Sequence, residues 1–108
     1  MTSDSFSSSL RAYRERGFFK EIKILRGIER ESLRVDKNGK ISQKNHPKNL
    51  GSPLTNNDIT TDFAEALVEL VTPTFESPEE LFDHLNLLHR FLYSELVDEM
   101  LWNFSMPC

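Results

Sequence analysis

The sequence predicts an α+β domain, and three features of its 108 residues support this fold class. Residues 27–35 alternate between two kinds of side chain with a period of two, as in a half-buried strand. The Asn38-Gly39 pair that follows is a strong hairpin signal, because both residues tolerate a positive φ. Residues 77–101 carry leucines at helical spacing, so a long helix is expected beside the sheet.

The composition is that of a globular protein and argues against several functional classes. Hydrophobic residues make up 38% and charged residues 28% of the chain, which is ordinary for a folded domain. A net charge of −4 argues against nucleic-acid binding, which needs a basic face. No apolar stretch approaches the roughly 18 residues of a membrane span, so no membrane partner is expected. The polar start carries no secretory signal, and a cytoplasmic protein is expected.

The chain is expected to form a single partial domain over residues 1–108, with a disordered serine-rich segment at residues 1–9. Residues 101–108 are rich in large apolar side chains, whereas natural termini are more often polar and frayed. This favours a portion of a longer protein. A tail packed back onto its own domain remains the alternative. The single cysteine, Cys108, excludes an internal disulfide.

Before the first strand, apolar residues at 10, 13, 18 and 19 predict a short amphipathic helix that ends near Gly17, then a second turn. In the strand at residues 27–35, odd and even positions lie on opposite faces. Leu33 and Val35 make the odd face the expected inner face, and Glu29 and Glu31 lie on it. The arginines at 26, 30 and 34 are expected on the outer face.

The segments after this strand are predicted in turn. A hairpin at residues 36–40 is followed by a short return strand at 40–43 and a loop at 44–58. Residues 60–73 permit a helix with an Asp62–Glu65 capping box, or a strand with Ala66, Val68 and Leu70 on one face. The strand is favoured, because the segment is short and ends in Val-Thr-Pro. Ser77 and Pro78 then begin a helix expected to reach about residue 101, roughly 35 Å long.

Inward-facing carboxylates suggest a metal site, because their burial is costly without a compensating cation or donor. Glu29 and Glu31 share one strand face, and Glu69 could face them from a neighbouring strand. Mg²⁺ suits such a site, since it prefers oxygen ligands. The alternative is that arginines from elsewhere satisfy the carboxylates, and both interpretations stay open. The histidines at 46, 84 and 89 are expected to be structural or solvated.

Four ordered segments resemble the N-terminal region of bacterial glutamate–cysteine ligases: Gly27-Ile-Glu-Arg-Glu-Ser-Leu-Arg-Val35, Leu50-Gly-Ser-Pro-Leu-Thr55, Ile59-Thr-Thr-Asp-Phe-Ala-Glu-Ala-Leu-Val-Glu69 and Ser105-Met-Pro-Cys108. The resemblance implies part of a glutamine-synthetase-like antiparallel sheet with flanking helices, which holds metals and nucleotide on one face. It further implies that ATP and Mg²⁺ (or Mn²⁺) serve the ligation of L-glutamate to L-cysteine, the first step toward glutathione. The implied metal ligands are Glu29, Glu31, Asp62 and Glu69, and Phe63 could line the amino-acid pocket.

The family enzymes are several times longer, so the resemblance also implies a truncated chain that is inactive alone. Its missing C-terminal part is then a possible partner. Two alternatives remain: a non-catalytic interaction module or subunit of a split enzyme, which uses the long helix and apolar tail, and a carboxylate–amine ligase with another amino-acid pair.

Overall fold

A computed structural model describes residues 3–51, 56–61 and 64–108. In chain order the elements are α1 (Ser3–Glu15), α2 (Phe18–Glu21), β1 (Glu29–Asp36), a 3₁₀ turn (Lys48–Leu50), β2 (Ile59–Thr60), β3 (Leu67–Val71), α3 (Pro78–Glu95) and β4 (Glu99–Leu101). The four strands form one antiparallel sheet in the order β2-β3-β1-β4. The predicted α+β class is therefore confirmed.

The hairpin turn after β1 is confirmed, whereas its return strand is shorter than predicted. Gly39 has a φ of 77°, and its N–H donates to the carbonyl of Asp36. Beyond the turn, only an isolated bridge joins Ile41 to Val35. The return strand stops there because the N–H of Arg34 on this edge already donates to Ala66, which leads into β3.

The leucine stripe of α3 packs on one face of the sheet, as predicted. The core consists of Leu50, Ile59, Val68, Leu70, Leu88, Leu92, Leu96 and Leu101, with Leu85 packed against it. Ser77 caps the helix by accepting a hydrogen bond from the N–H of Glu80. The helix ends at Glu95, after about 27 Å rather than 35 Å. Residues 99–101 instead form β4, because the free edge of β1 offers backbone partners and Leu101 enters the core.

The strand interpretation of residues 60–73 is confirmed for Leu67–Val71, whereas residues 64–66 form a turn. Leu67–Val71 form β3, and Ala66, Val68 and Leu70 are buried against the helix side. A second short strand, β2, precedes them and pairs with β3. Asp62 and Phe63 lie outside the described residues.

The prediction that the odd face of β1 is the inner one was wrong for its two glutamates, although Val35 at the end of that face is buried. Ser32 and Arg34 are buried on the side of α3, while Glu29 and Glu31 are exposed on the other side. The register explains the reversal, because Ser32 lies opposite Val68 and Arg30 opposite Leu70, both of which face the helix. The arginine face is thus the covered face, and the glutamates lie on the open face of the sheet.

The N-terminal helices meet at Gly17, whose φ of 72° fits the predicted end of the first helix. Residues 3–9, expected to be disordered, differ from that expectation and form the first turns of α1. There the Ser9 hydroxyl donates to the carbonyl of Ser5. The described side chains of α1 are all exposed, and the molecule measures 57 × 28 × 23 Å. Among the described residues, no helix has both the length and the apolar character needed to cross a membrane.

Candidate functional site

Three carboxylates share the open face of the sheet. Glu31 on β1 lies directly opposite Glu69 on β3. Residues opposite each other in an antiparallel pair have Cβ atoms about 4.5–5.5 Å apart and point to the same side. Glu29 lies two residues away from Glu31 on β1, about 7 Å along the same face. Thr60 on β2 pairs with Glu69 and therefore shares this face as well.

The donor chemistry of this group fits Mg²⁺, although the ligand set is incomplete in the described structure. Glu29 and Glu31 are exposed and Glu69 is half-buried, so oxygen ligands face solvent on one side of the sheet. Like charges directly opposite each other destabilise a sheet, and a cation between them removes that cost. Within residues 3–51, 56–61 and 64–108, no three acidic, histidine or cysteine side chains are grouped closely enough to hold a metal ion.

Two of the five predicted site residues, Asp62 and Phe63, are not among the described residues. The structure brings Glu29, Glu31 and Glu69 to one face, as the alternation of the two strands predicted. The assignment of these residues as metal ligands, and of Phe63 to an amino-acid pocket, stays a prediction.

The C-terminal tail borders this site. An open groove of about 430 Å³ is lined by Glu31, Ser32, Leu33, Leu67, Trp102, Phe104, Ser105, Met106 and Pro107. The indole N–H of Trp102 donates to the carbonyl of Met106 over 2.7 Å, and its ring lies 4.9 Å from that of Phe104. The tail therefore runs along its own sheet, although Phe104 and Met106 remain exposed.

A buried ion pair supports the site from the helix side of the sheet. Arg34 is fully buried, and its Nη1 donates to Glu99 Oε2 over 2.6 Å. Its Nη2 donates to the carbonyls of Lys44 at 3.0 Å and Glu65 at 2.7 Å. One guanidinium thus joins β1, the segment after the hairpin, the segment before β3, and β4. This pair could not be predicted from the sequence, because Glu99 falls in the segment predicted to be helical and no local pattern links it to Arg34.

Arg30 makes a second connection between β1 and the helix. Its guanidinium contacts His89 Nε2 and Asn103 Oδ1. His89 Nδ1 lies 2.9 Å from the carbonyl of Leu85, so that nitrogen carries the proton and Nε2 accepts from Arg30. His84 is likewise paired, with its Nε2 3.2 Å from Asp58 Oδ2. Both histidines are thus held by contacts within the fold.

His46 lies beside the buried ion pair. Its backbone N–H donates to Glu65 Oε1 over 2.5 Å, while both ring nitrogens are buried without a hydrogen-bond partner among the described residues. Burial lowers the pKa of His46, and the positive charge of Arg34 lowers it further, against the opposing charge of Glu65. The imidazole is therefore held in its neutral form.

Comparison with known proteins yields consistent matches. A model of the glutamate–cysteine ligase family matches residues 9–108. The glutamate–cysteine ligase of Pseudomonas putida (strain W619) is 52% identical over 84 residues, which are 78% of this chain and 16% of that protein. That of Wigglesworthia glossinidia brevipalpis is 55% identical over 86 residues, 80% of this chain and 17% of that protein. The chain thus spans about one sixth of the length of these relatives.

Two solved structures share the fold. A glutamate–cysteine ligase from Francisella tularensis in complex with AMP has a TM-score of 0.73 and 46% identity, over 77% of this chain and 17% of that chain. A bifunctional glutathione synthetase from Pasteurella multocida has a TM-score of 0.71 and 36% identity, over 75% of this chain and 11% of that chain. These likenesses confirm the predicted fold as part of a glutamine-synthetase-like antiparallel sheet with flanking helices.

Proposed function

This chain belongs to the glutamate–cysteine ligase family, and on that basis we propose that it provides one wall of an ATP-dependent ligase site. The proposed reaction joins the γ-carboxyl group of L-glutamate to the amine of L-cysteine and gives γ-glutamylcysteine, the first step of glutathione synthesis. ATP phosphorylates the γ-carboxylate, and the amine of cysteine then displaces phosphate. The names of the relatives and the AMP bound to the Francisella protein support this proposal.

The residues of the open face would have different roles in the proposed reaction. Glu31 and Glu69 would hold Mg²⁺ (or Mn²⁺) from adjacent strands, with Glu29 and Asp62 completing the acidic set. The bound cation would neutralise the phosphate charge, as phosphoryl transfer generally requires. The apolar wall of the groove beside Glu31 would exclude water from that side, and Phe63 would line the amino-acid pocket.

A chain of these 108 residues is proposed to be inactive by itself. It corresponds to about one sixth of the matched ligases, so most of their sheet has no counterpart in it. The opposite wall of the site would come from a polypeptide equivalent to the remainder of the ligase. A cytoplasmic location belongs to the same proposal, because ATP and reduced cysteine are available there.

The pairing of Glu31 with Glu69 on the open face is the observation that carries this function. The test is to titrate the Glu29→Gln and Glu69→Gln variants with Mn²⁺ and to measure the bound Mn²⁺ by electron paramagnetic resonance. Each variant should bind Mn²⁺ at least about tenfold more weakly, since one charged ligand is lost. Glu15→Gln on α1 removes the same charge far from the site and should bind normally. Unchanged binding in both site variants would show that the ligand assignment is wrong.

A second candidate, a non-catalytic interaction module, is favoured by the large apolar side chains that α1 leaves exposed. The same Mn²⁺ titration separates the two functions, because a module has no need of a metal. A ligase with another amino-acid pair would differ only in substrate preference, which amino-acid competition in a reconstituted enzyme would measure.

A further inference from the structure

A continuous apolar row covers one side of the N-terminal helices. This N-terminal apolar surface consists of Phe6, Leu10, Tyr13, Phe18 and Phe19, which are between 41% and 63% exposed. The first three lie at positions i, i+4 and i+7 and so share one side of α1. Ring contacts at 5.2 Å between Tyr13 and Phe18, and at 5.9 Å between Phe18 and Phe19, continue the row past Gly17 onto α2.

The N-terminal apolar surface takes no part in the hydrophobic core formed by the described residues. None of its five residues belongs to the core under α3, and α1 packs chiefly against α2. Single exposed apolar residues are normal on protein surfaces, but contiguous rows of them mark interaction sites. An amphipathic helix that lays its apolar side into a groove is a common form of such a site.

The physical features of the surface favour one occupant. Membrane-surface helices carry mainly Lys and Arg among their polar residues, whereas the polar residues of α1 are serines, two arginines (Arg11 and Arg14) and two acids (Asp4 and Glu15). Self-association through this surface alone is also disfavoured, because about 100 Å² from each half-exposed side chain gives roughly 1,000 Å² for two copies, short of the 1,200–2,000 Å² of stable interfaces, so the occupant must extend beyond the surface. The matched ligases, in contrast, contain about five times more chain than this one covers.

We infer that the N-terminal apolar surface is the docking site for a polypeptide equivalent to the rest of a glutamate–cysteine ligase. This inference rests on the proposed function and deepens it, because it names the surface that joins the two parts of the active site. The surface lies outside the core of this chain, so docking can be altered without disturbing the carboxylates on the sheet.

The test is co-expression of the full tagged chain with the Pseudomonas putida ligase that lacks its matched 84 residues. The two polypeptides should co-purify in equal amounts. The variant Phe6→Ser/Leu10→Ser/Tyr13→Ser should retain less than about a tenth of the partner, because it removes central apolar anchors. Ser8→Ala/Glu15→Ala, on the opposite side of α1, is the matched control. Phe18→Ser/Phe19→Ser tests the row on α2, and circular dichroism of each free variant checks its folding.

The possible outcomes separate this inference from the proposed function. Full co-purification of both serine variants, or none of the wild-type chain, would overturn the docking site. Co-purification without γ-glutamylcysteine formation would contradict the ligase function and leave the surface intact. If the wild-type chain alone forms dimers in sedimentation velocity, or binds phosphatidylglycerol vesicles, and the triple variant does not, the occupant was assigned wrongly.

Discussion

Arg34 holds four segments of the chain together through one buried guanidinium. We expect Arg34→Met to lower the free energy of unfolding by about 3–5 kcal/mol, because Glu99 would remain buried without its partner. Lys44→Met is the matched control, since its pair with Asp98 is exposed and screened by solvent, so its loss should be much smaller. Urea denaturation followed by circular dichroism measures both losses. Equal losses would contradict the structural role of Arg34.

His46 should make the stability of the fold depend on pH. Its pKa is lowered in the folded protein from an ordinary value of 6.5, mainly by burial. The unfolded state therefore binds more protons between the two pKa values. This stabilisation is complete above pH 6.5 and is lost as the pH falls through the folded pKa. Urea unfolding between pH 5 and 8 should show that decline, and His46→Gln should lack it. His84→Gln, which keeps His46, should retain it; a flat wild-type profile would refute the effect.

For single residues, the sequence predicts which side chains share a face of the sheet, but not which face is covered by α3. The alternation of β1 and β3 places Glu29, Glu31 and Glu69 together. Leu33 and Val35 led to a wrong prediction of the face that α3 covers. The covered face is the one that β1 shares with Val68 and Leu70 of β3, and this depends on the register between the strands. The burial of Arg34 depends on Glu99, 65 residues away, and no local pattern contains that contact.

Among the elements, α3 begins at a local sequence signal, the N-terminal cap at Ser77. Ser77→Ala should lower the free energy of unfolding by about 1 kcal/mol, because the N–H of Glu80 loses its side-chain acceptor. Ser94→Ala in the last turn of the same helix is the matched control and should be nearly neutral. Thermal unfolding by circular dichroism compares them. A loss as large for Ser94→Ala would contradict the capping role.

The elements also show where local patterns fail. The cap at Ser77, the hairpin at Gly39 and the helix end at Gly17 are all encoded within a few residues, and all were predicted. The end of α3 and the short return strand were not, because both depend on which segment occupies an edge of β1. Such competition between distant segments is invisible in a short stretch of sequence.

For the molecule as a whole, we expect no steady γ-glutamylcysteine formation by the purified chain with ATP, Mg²⁺, L-glutamate and L-cysteine. The reason is that it spans about one sixth of the matched ligases. The control is the Pseudomonas putida ligase with its matched 84 residues replaced by those of this chain, which should be active. Chromatography of γ-glutamylcysteine measures the activity of both proteins. Turnover by the chain alone would contradict the prediction and show that one wall of the site suffices.

The two faces of β1 have different roles, since one carries the carboxylates and the other packs under α3. This limits how the length of the strand can vary. Single substitutions affect one side only, because successive residues alternate between the open face and the face under α3. One inserted residue between Glu31 and Arg34 would shift the phase of everything on one side of the insertion. Either the carboxylates would turn into the core or the buried guanidinium would turn into solvent. The strand can therefore tolerate changes of residue but not of residue count.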